Sequence, residues 1–259
     1  MTSRSAEKAK AAVQDVKTEV PGANIEVLPL DLTDFASIKQ AAEQFTSKSS
    51  RLDILINNAG VMAMPHSHTK QNYDIQFGTN HMGHALLVKL LLPTLLKTAE
   101  QPKSDVRIIN LASYGHNLAP TGGIFFDEKK AEQASPPARY GSSKLANILH
   151  ARVLAQKYPQ LTVTSVHPGI IKTDLYGPMN SSLPVRWATS IVMPLFFRDV
   201  HDGAKNTLWA ATADQKEVRK SYYFDPIGYA VPGSKYAQDQ KLADELWKFT
   251  EREFERHGY

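Results

Sequence analysis

The 259-residue chain is long enough for one large domain with a substantial core. Its 30 basic and 26 acidic residues leave a net charge of only +4 with no long basic run, which argues against a nucleic-acid partner. Without a single cysteine, disulfides, thiolate catalysis and cysteine-ligated zinc are excluded.

Residues 5–18 are rich in Ala, Glu and Lys and read as a helix, stopped by Pro21-Gly22. Residues 25–30 alternate as a strand. Thr33 or Asp34 can cap a helix to about Ser47, with Ile38, Ala41, Ala42 and Phe45 on one face. The short apolar run 52–56 fits a parallel strand buried on both faces. Residues 71–97 read as a long helical region whose apolar face holds Ile75, Phe77, Met82, Leu86, Leu90 and Leu91. A strand at 106–111 is followed by a stretch at 115–137 punctuated by Gly and Pro. Then come a helix at 139–158 and a strand at 161–166 ending in His167-Pro168-Gly169. Residues 170–198 show no period. A helix at 200–213, a short strand at 221–224 and a charged amphipathic helix at 238–256 complete the chain. The alternation implies an α/β fold with a doubly wound, mostly parallel sheet in a single domain spanning 1–259.

No signal peptide is visible, and the longest apolar runs, 90–96 and 191–197, fall short of a membrane span. A cytoplasmic protein with no transmembrane segment is expected.

The chemistry-bearing residues sit at strand ends and on the helices beside them. Tyr140 and Lys144 are four apart, so they share a helix face, and an ammonium near a phenol favours the phenolate. A bare Tyr-x-x-x-Lys pair is usually structural. Ser113 ends a strand, where its hydroxyl can polarise a carbonyl oxygen or simply cap a turn. Asn80 lies inside a helix, an unfavourable place unless something bonds it. His81 and His84 are three apart, but no third ligand accompanies them, so no metal is expected. Asn57-Asn58-Ala59-Gly60 closes an apolar strand, and Asp31-Leu32 closes another.

Taken in order, Asp31-Leu32, Asn57 to Gly60, Asn80, Ser113, Tyr140 with Ser142-Ser143-Lys144-Leu145-Ala146-Asn147, and His167-Pro168-Gly169 with Thr173 resemble the short-chain dehydrogenase/reductase family, in its retinol dehydrogenase-like branch. The resemblance implies a Rossmann-like fold and hydride transfer between a nicotinamide cofactor and a small apolar carbonyl or alcohol. It makes Tyr140 the general acid/base, Ser113 the polarising hydroxyl and Asn80 the anchor of a proton relay. Lys144 tunes the tyrosine and binds the nicotinamide ribose. The cofactor would lie along Asp31, Leu32, Asn58, Ala59, Gly60, Tyr140, Lys144, Pro168, Gly169 and Thr173. Arg4 either receives a 2′-phosphate, giving NADP in preference to NAD, or is a loose N-terminal arginine. Residues 174–198 and 225–236, with Met179, Trp187, Met193, Phe196 and Phe197, would line the substrate pocket. A homodimer through the helices carrying Asn80 and Tyr140 is a family expectation.

Against the family pattern, the resemblance implies that the first strand, the glycine-rich turn, the first helix and most of the second strand are missing ahead of Met1. Residues 25–30 are therefore expected to shift beside 52–56 or to pack loosely, an edge of 52–56 to be exposed, and cofactor affinity to fall. The alternative reading is a catalytically impaired remnant or partner-binding pseudoenzyme. A sugar-nucleotide epimerase shares the Tyr/Lys pair and fits less well.

Overall fold

The computed structural model describes residues 1–169, 171 and 199–259. Five strands form one sheet in chain order: β3 (Ile54–Asn57), β4 (Arg107–Leu111), β5 (Thr162–Val166), β6 (Tyr223–Asp225) and β7 (Tyr229–Ala230). β3 to β6 run parallel, and β7 returns antiparallel. β4 and β5 are buried along their whole length, which suits their unbroken apolar and Thr-rich runs.

Helices cover both faces of the sheet. Ile108 and Val163 face the larger core, where they meet α2 (Phe35–Lys48), α4 (Gly83–Ala99) and α6 (Pro136–Lys157). Their chain neighbours Ile109, Leu111 and Val166 face the opposite way, against Ala210 on α7 (Val200–Thr212). Alternate residues of one strand thus serve two layers, and the fold is doubly wound. The short helix α8 (Gln215–Val218) precedes β6. The C-terminal helix α9 (Gln240–Arg256) is capped by Asp239, which accepts from Leu242 N at 3.1 Å, and it lies along α6.

Two sequence expectations change at the N-terminal side. β2 is only Leu28–Pro29, and it pairs with β1 (Thr2–Ser3), in parallel, as a separate two-stranded sheet; it does not shift beside β3. Met1 and Ser3 supply the carbonyls that Leu28 N and Leu30 N need, at 2.9 and 3.1 Å, and α1 (Ala6–Glu19) follows, capped by the Ser5 side chain. β3 is not buried on both faces. It pairs with β4 alone, and Ile54 and Ile56 are each 40% exposed, so the expected open edge is present.

The long helix expected at 71–97 is interrupted. Asp74 caps a short α3 (Ile75–Phe77), a wide π-turn occupies Gly78–Met82, and α4 continues from Gly83. Among the described residues this stretch, Ile75–Ala99, is long and apolar enough to cross a membrane. Its apolar side is buried against α2 and α6. The stretch 115–137 holds a 3₁₀ turn (Tyr114–Leu118) and α5 (Glu128–Glu132).

Candidate active site

The parallel strands β3, β4 and β5 deliver three loops to one edge of the sheet, and α6 crosses beneath them. Ser113 follows β4. Its Oγ accepts from Gly115 N at 3.0 Å, capping the 3₁₀ turn and leaving the hydroxyl proton available to another acceptor. A Cβ placed on Gly115 would lie 2.7 Å from the Tyr140 ring and 3.3 Å from Ser113 Oγ, so glycine is what lets these two side chains converge. The Lys144 ammonium sits 5.8 Å from the centre of the Tyr140 ring. It donates to the Leu111 carbonyl at 2.9 Å. Burial pulls its pKa down to about 8, because desolvation penalises the charged form.

Asn80 lies in the π-turn and is fully buried. Its Oδ1 accepts from Val61 N at 2.8 Å, and its Nδ2 donates to Val61 O and to Ser143 Oγ, both at 2.9 Å. A Cβ on Gly60 would lie 3.0 Å from Asn80 Oδ1 and 3.4 Å from Lys144 Nζ, so the backbone here approaches both residues closely. Asn57 ties β3 to β4 through a 2.8 Å bond from its Nδ2 to Asn110 Oδ1, while Asn58 and Ala59 stand exposed at the strand end.

Ser113, Tyr140, Lys144, Asn80 and Gly60 therefore come together. On the β1–β2 side, Asp31 accepts from both the amide and the hydroxyl of Thr33, at 2.9 and 2.7 Å, in a local turn. Leu32 is buried against Gly83. Arg4 is exposed between Ser3 and the α1 cap. Beyond β5, Pro168 and Gly169 follow in order, with Gly169 at φ +95°. Thr173 lies outside the described residues, as do Met179, Trp187, Met193, Phe196 and Phe197.

Two supporting residues, His116 and Asn206, escape a reading of sequence. His116 donates Nδ1–H to the Ser113 carbonyl at 2.8 Å; its other nitrogen must be bare, since it accepts from Ser234 N at 3.0 Å. Asn206 on α7 donates to the carbonyls of His167 and Phe224 and accepts from Gly228 N, fixing the start of the His-Pro-Gly turn. His167 itself is held to a pKa of about 4 by burial. The only sequence signal for Asn206 is a polar amide inside an otherwise regular helix.

Residues 1–125 match the family model for short chain dehydrogenase. Over its full length the chain is 37% identical to an uncharacterised oxidoreductase of Schizosaccharomyces pombe, spanning 78% of that protein. Retinol dehydrogenase 12 of Mus musculus is 34% identical over 93% of this chain and 73% of its own. Among solved structures, a Mycobacterium paratuberculosis protein superposes with a TM-score of 0.71 at 28% identity, covering 98% of this chain and 82% of that one. The NADPH-bound carbonyl reductase from chicken fatty liver superposes at 0.59 and 24% identity, covering 85% and 81%. Fold and relatives together define a hydride-transferring oxidoreductase of CH–OH groups, built on a Rossmann-like sheet. The chain belongs to the short-chain dehydrogenase/reductase family, in its retinol dehydrogenase-like branch.

Proposed function

We propose that the protein interconverts an apolar carbonyl compound and its alcohol with NADP as the hydride carrier. The observation that carries this reading is the convergence of Ser113 Oγ and the Tyr140 ring at Gly115, with a buried Lys144 ammonium beside the ring. A nicotinamide held beside Lys144 and Gly60 would supply the hydride chemistry in either direction. Ser113 donates its hydroxyl proton in a hydrogen bond to the substrate oxygen and polarises it. Tyr140 gives that oxygen a proton as the alcohol forms, and Lys144 holds the resulting phenolate.

The nicotinamide-ribose end of the cofactor fits the residues present. Gly60 offers a backbone approach that a side chain would fill, and Lys144 has N–H groups beyond its bond to Leu111 O. NADP rather than NAD rests on Arg4 beside the N-terminus of α1, and accords with the NADPH held by the chicken reductase. The intact cluster counts against an impaired remnant.

The test is turnover of a panel of aliphatic and aromatic aldehydes and ketones with millimolar NADPH and, separately, NADH. Turnover that favours NADPH and longer apolar substrates is expected. No turnover of any carbonyl or alcohol with either cofactor would return the pseudoenzyme reading.

A further inference from the structure

His84 is a buried imidazole for which the chemistry proposed above has no use. It lies one turn beyond Asn80, where the backbone ladder opens to i→i+5 spacing and Gly83 N reaches back to Gly78 O. Such wide turns displace carbonyls from their regular amide donors. Here the side chain of His84 supplies a donor: Nδ1 lies 3.0 Å from the Asn80 carbonyl oxygen. A carbonyl can only accept, so Nδ1 carries the proton and Nε2 is bare. The ring is neutral, its pKa lowered to about 4 by burial. Lys144 on α6 is the nearby cation that lowers it further, and His81 and His150 are the other titratable neighbours.

The bond matters because Asn80 has no slack. Both N–H groups of its side chain donate, one to Val61 O and one to Ser143 Oγ, Oδ1 accepts from Val61 N, and Ser143 Oγ in turn donates to the Tyr140 carbonyl at 2.8 Å. A methyl group on Gly60 would meet Asn80 Oδ1 at 3.0 Å and Lys144 Nζ at 3.4 Å, so both side chains close in on this backbone. A shift of the Asn80 backbone by a few tenths of an ångström would therefore be felt at Val61, at Ser143 and at the lysine together. We propose that His84 is a positioning residue: its Nδ1–H holds the Asn80 carbonyl in the π-turn, and so holds the Gly60–Val61 turn and α6 in register around Tyr140 and Lys144. The kinetic consequence rests on the function proposed above; the geometric one does not.

Two variants separate this from a filler role. His84→Leu keeps bulk and removes the donor, whereas His84→Asn places an amide nitrogen where Nδ1 stood. In wild type, ¹⁵N shifts of His84 should report a protonated Nδ1 and a bare Nε2. His84→Leu should move the Gly60 and Val61 amide resonances and lower kcat about tenfold with KM little changed, as displaced catalytic groups do. His84→Asn should restore both. Wild-type kcat, or unmoved Val61 resonances, in a folded His84→Leu would overturn the proposal. So would a His84→Asn no better than His84→Leu at equal folded fraction. If wild type turns over no substrate, the function proposed above fails, and the tautomer and Val61 resonances still decide the role of His84.

Discussion

Lys144 is where the cost of the site is concentrated. Its pKa of about 8 in the fold, against about 10.4 for a free lysine, means the unfolded chain binds more protons between those values. Stability contributed by this residue therefore rises as pH climbs through that window, and at pH 7 the buried ammonium is destabilising. Lys144→Met should melt at or above the wild-type temperature at pH 7, with the difference shrinking above pH 10, while losing turnover. The Leu111 carbonyl would keep its bond from Asn147 Nδ2 at 3.0 Å. Thermal melts across pH check this; a clear drop in melting temperature at pH 7 contradicts it. At this scale the sequence was most legible for residues whose partners are near in the chain, such as Tyr140 and Lys144. His84, His116 and Asn206 were opaque because each bonds a carbonyl whose position depends on a π-turn, a 3₁₀ turn or a distant strand.

Between α4, α6 and α9 runs a seam of neutral histidines. His81 Nε2 meets Thr250 Oγ1 at 3.0 Å, and His150 stacks on Trp247 at 5.4 Å. Burial holds His150 and His84 to about 4, and His81 well below its ordinary range. The unfolded chain protonates these rings near pH 6.5, so stability is full above that value and is lost as pH falls toward 4, by about 3 kcal/mol for a ring shifted this far. His150→Phe should flatten the fall in denaturant stability between pH 6.5 and 4; an unchanged slope would show that the seam titrates freely.

The other element-scale weakness is β3, whose open edge carries Ile54 and Ile56. Ile56→Lys should slow aggregation measured by light scattering without lowering the melting temperature; a loss of several degrees would mean the side chain is packed after all. The helices and the strands β4 to β6 were readable from period and apolar runs. The pairing of β2 was not, because it depends on the three residues Met1 to Ser3, which have no strand pattern of their own. The break at 78–82 was equally hidden, since a π-turn preserves the apolar face on either side.

For the molecule as a whole, α9 changes what can be expected of assembly. The helix buries Leu242, Ala243, Leu246 and Phe254, bonds Lys89 on α4 through Glu251 at 2.6 Å, and lies along α6. The helix carrying Tyr140 is thus covered on one side from within the chain, and we expect a homodimer through that side to compete with α9. Light scattering coupled to gel filtration should report a monomer, or a dimer that survives substitutions on the outer face of α6. A dimer that dissociates on such substitutions would show that α9 leaves the face open.

The decisive measurement is single-turnover oxidation of NADPH by wild type and Tyr140→Phe, at millimolar cofactor and with the best carbonyl substrate of the panel. If a phenol beside a buried ammonium moves the proton, Tyr140→Phe should remain folded, bind NADPH as wild type does, and react about 10² to 10⁴ times more slowly. Equal rates for the two proteins would contradict that assignment and leave the proton donor elsewhere in the molecule.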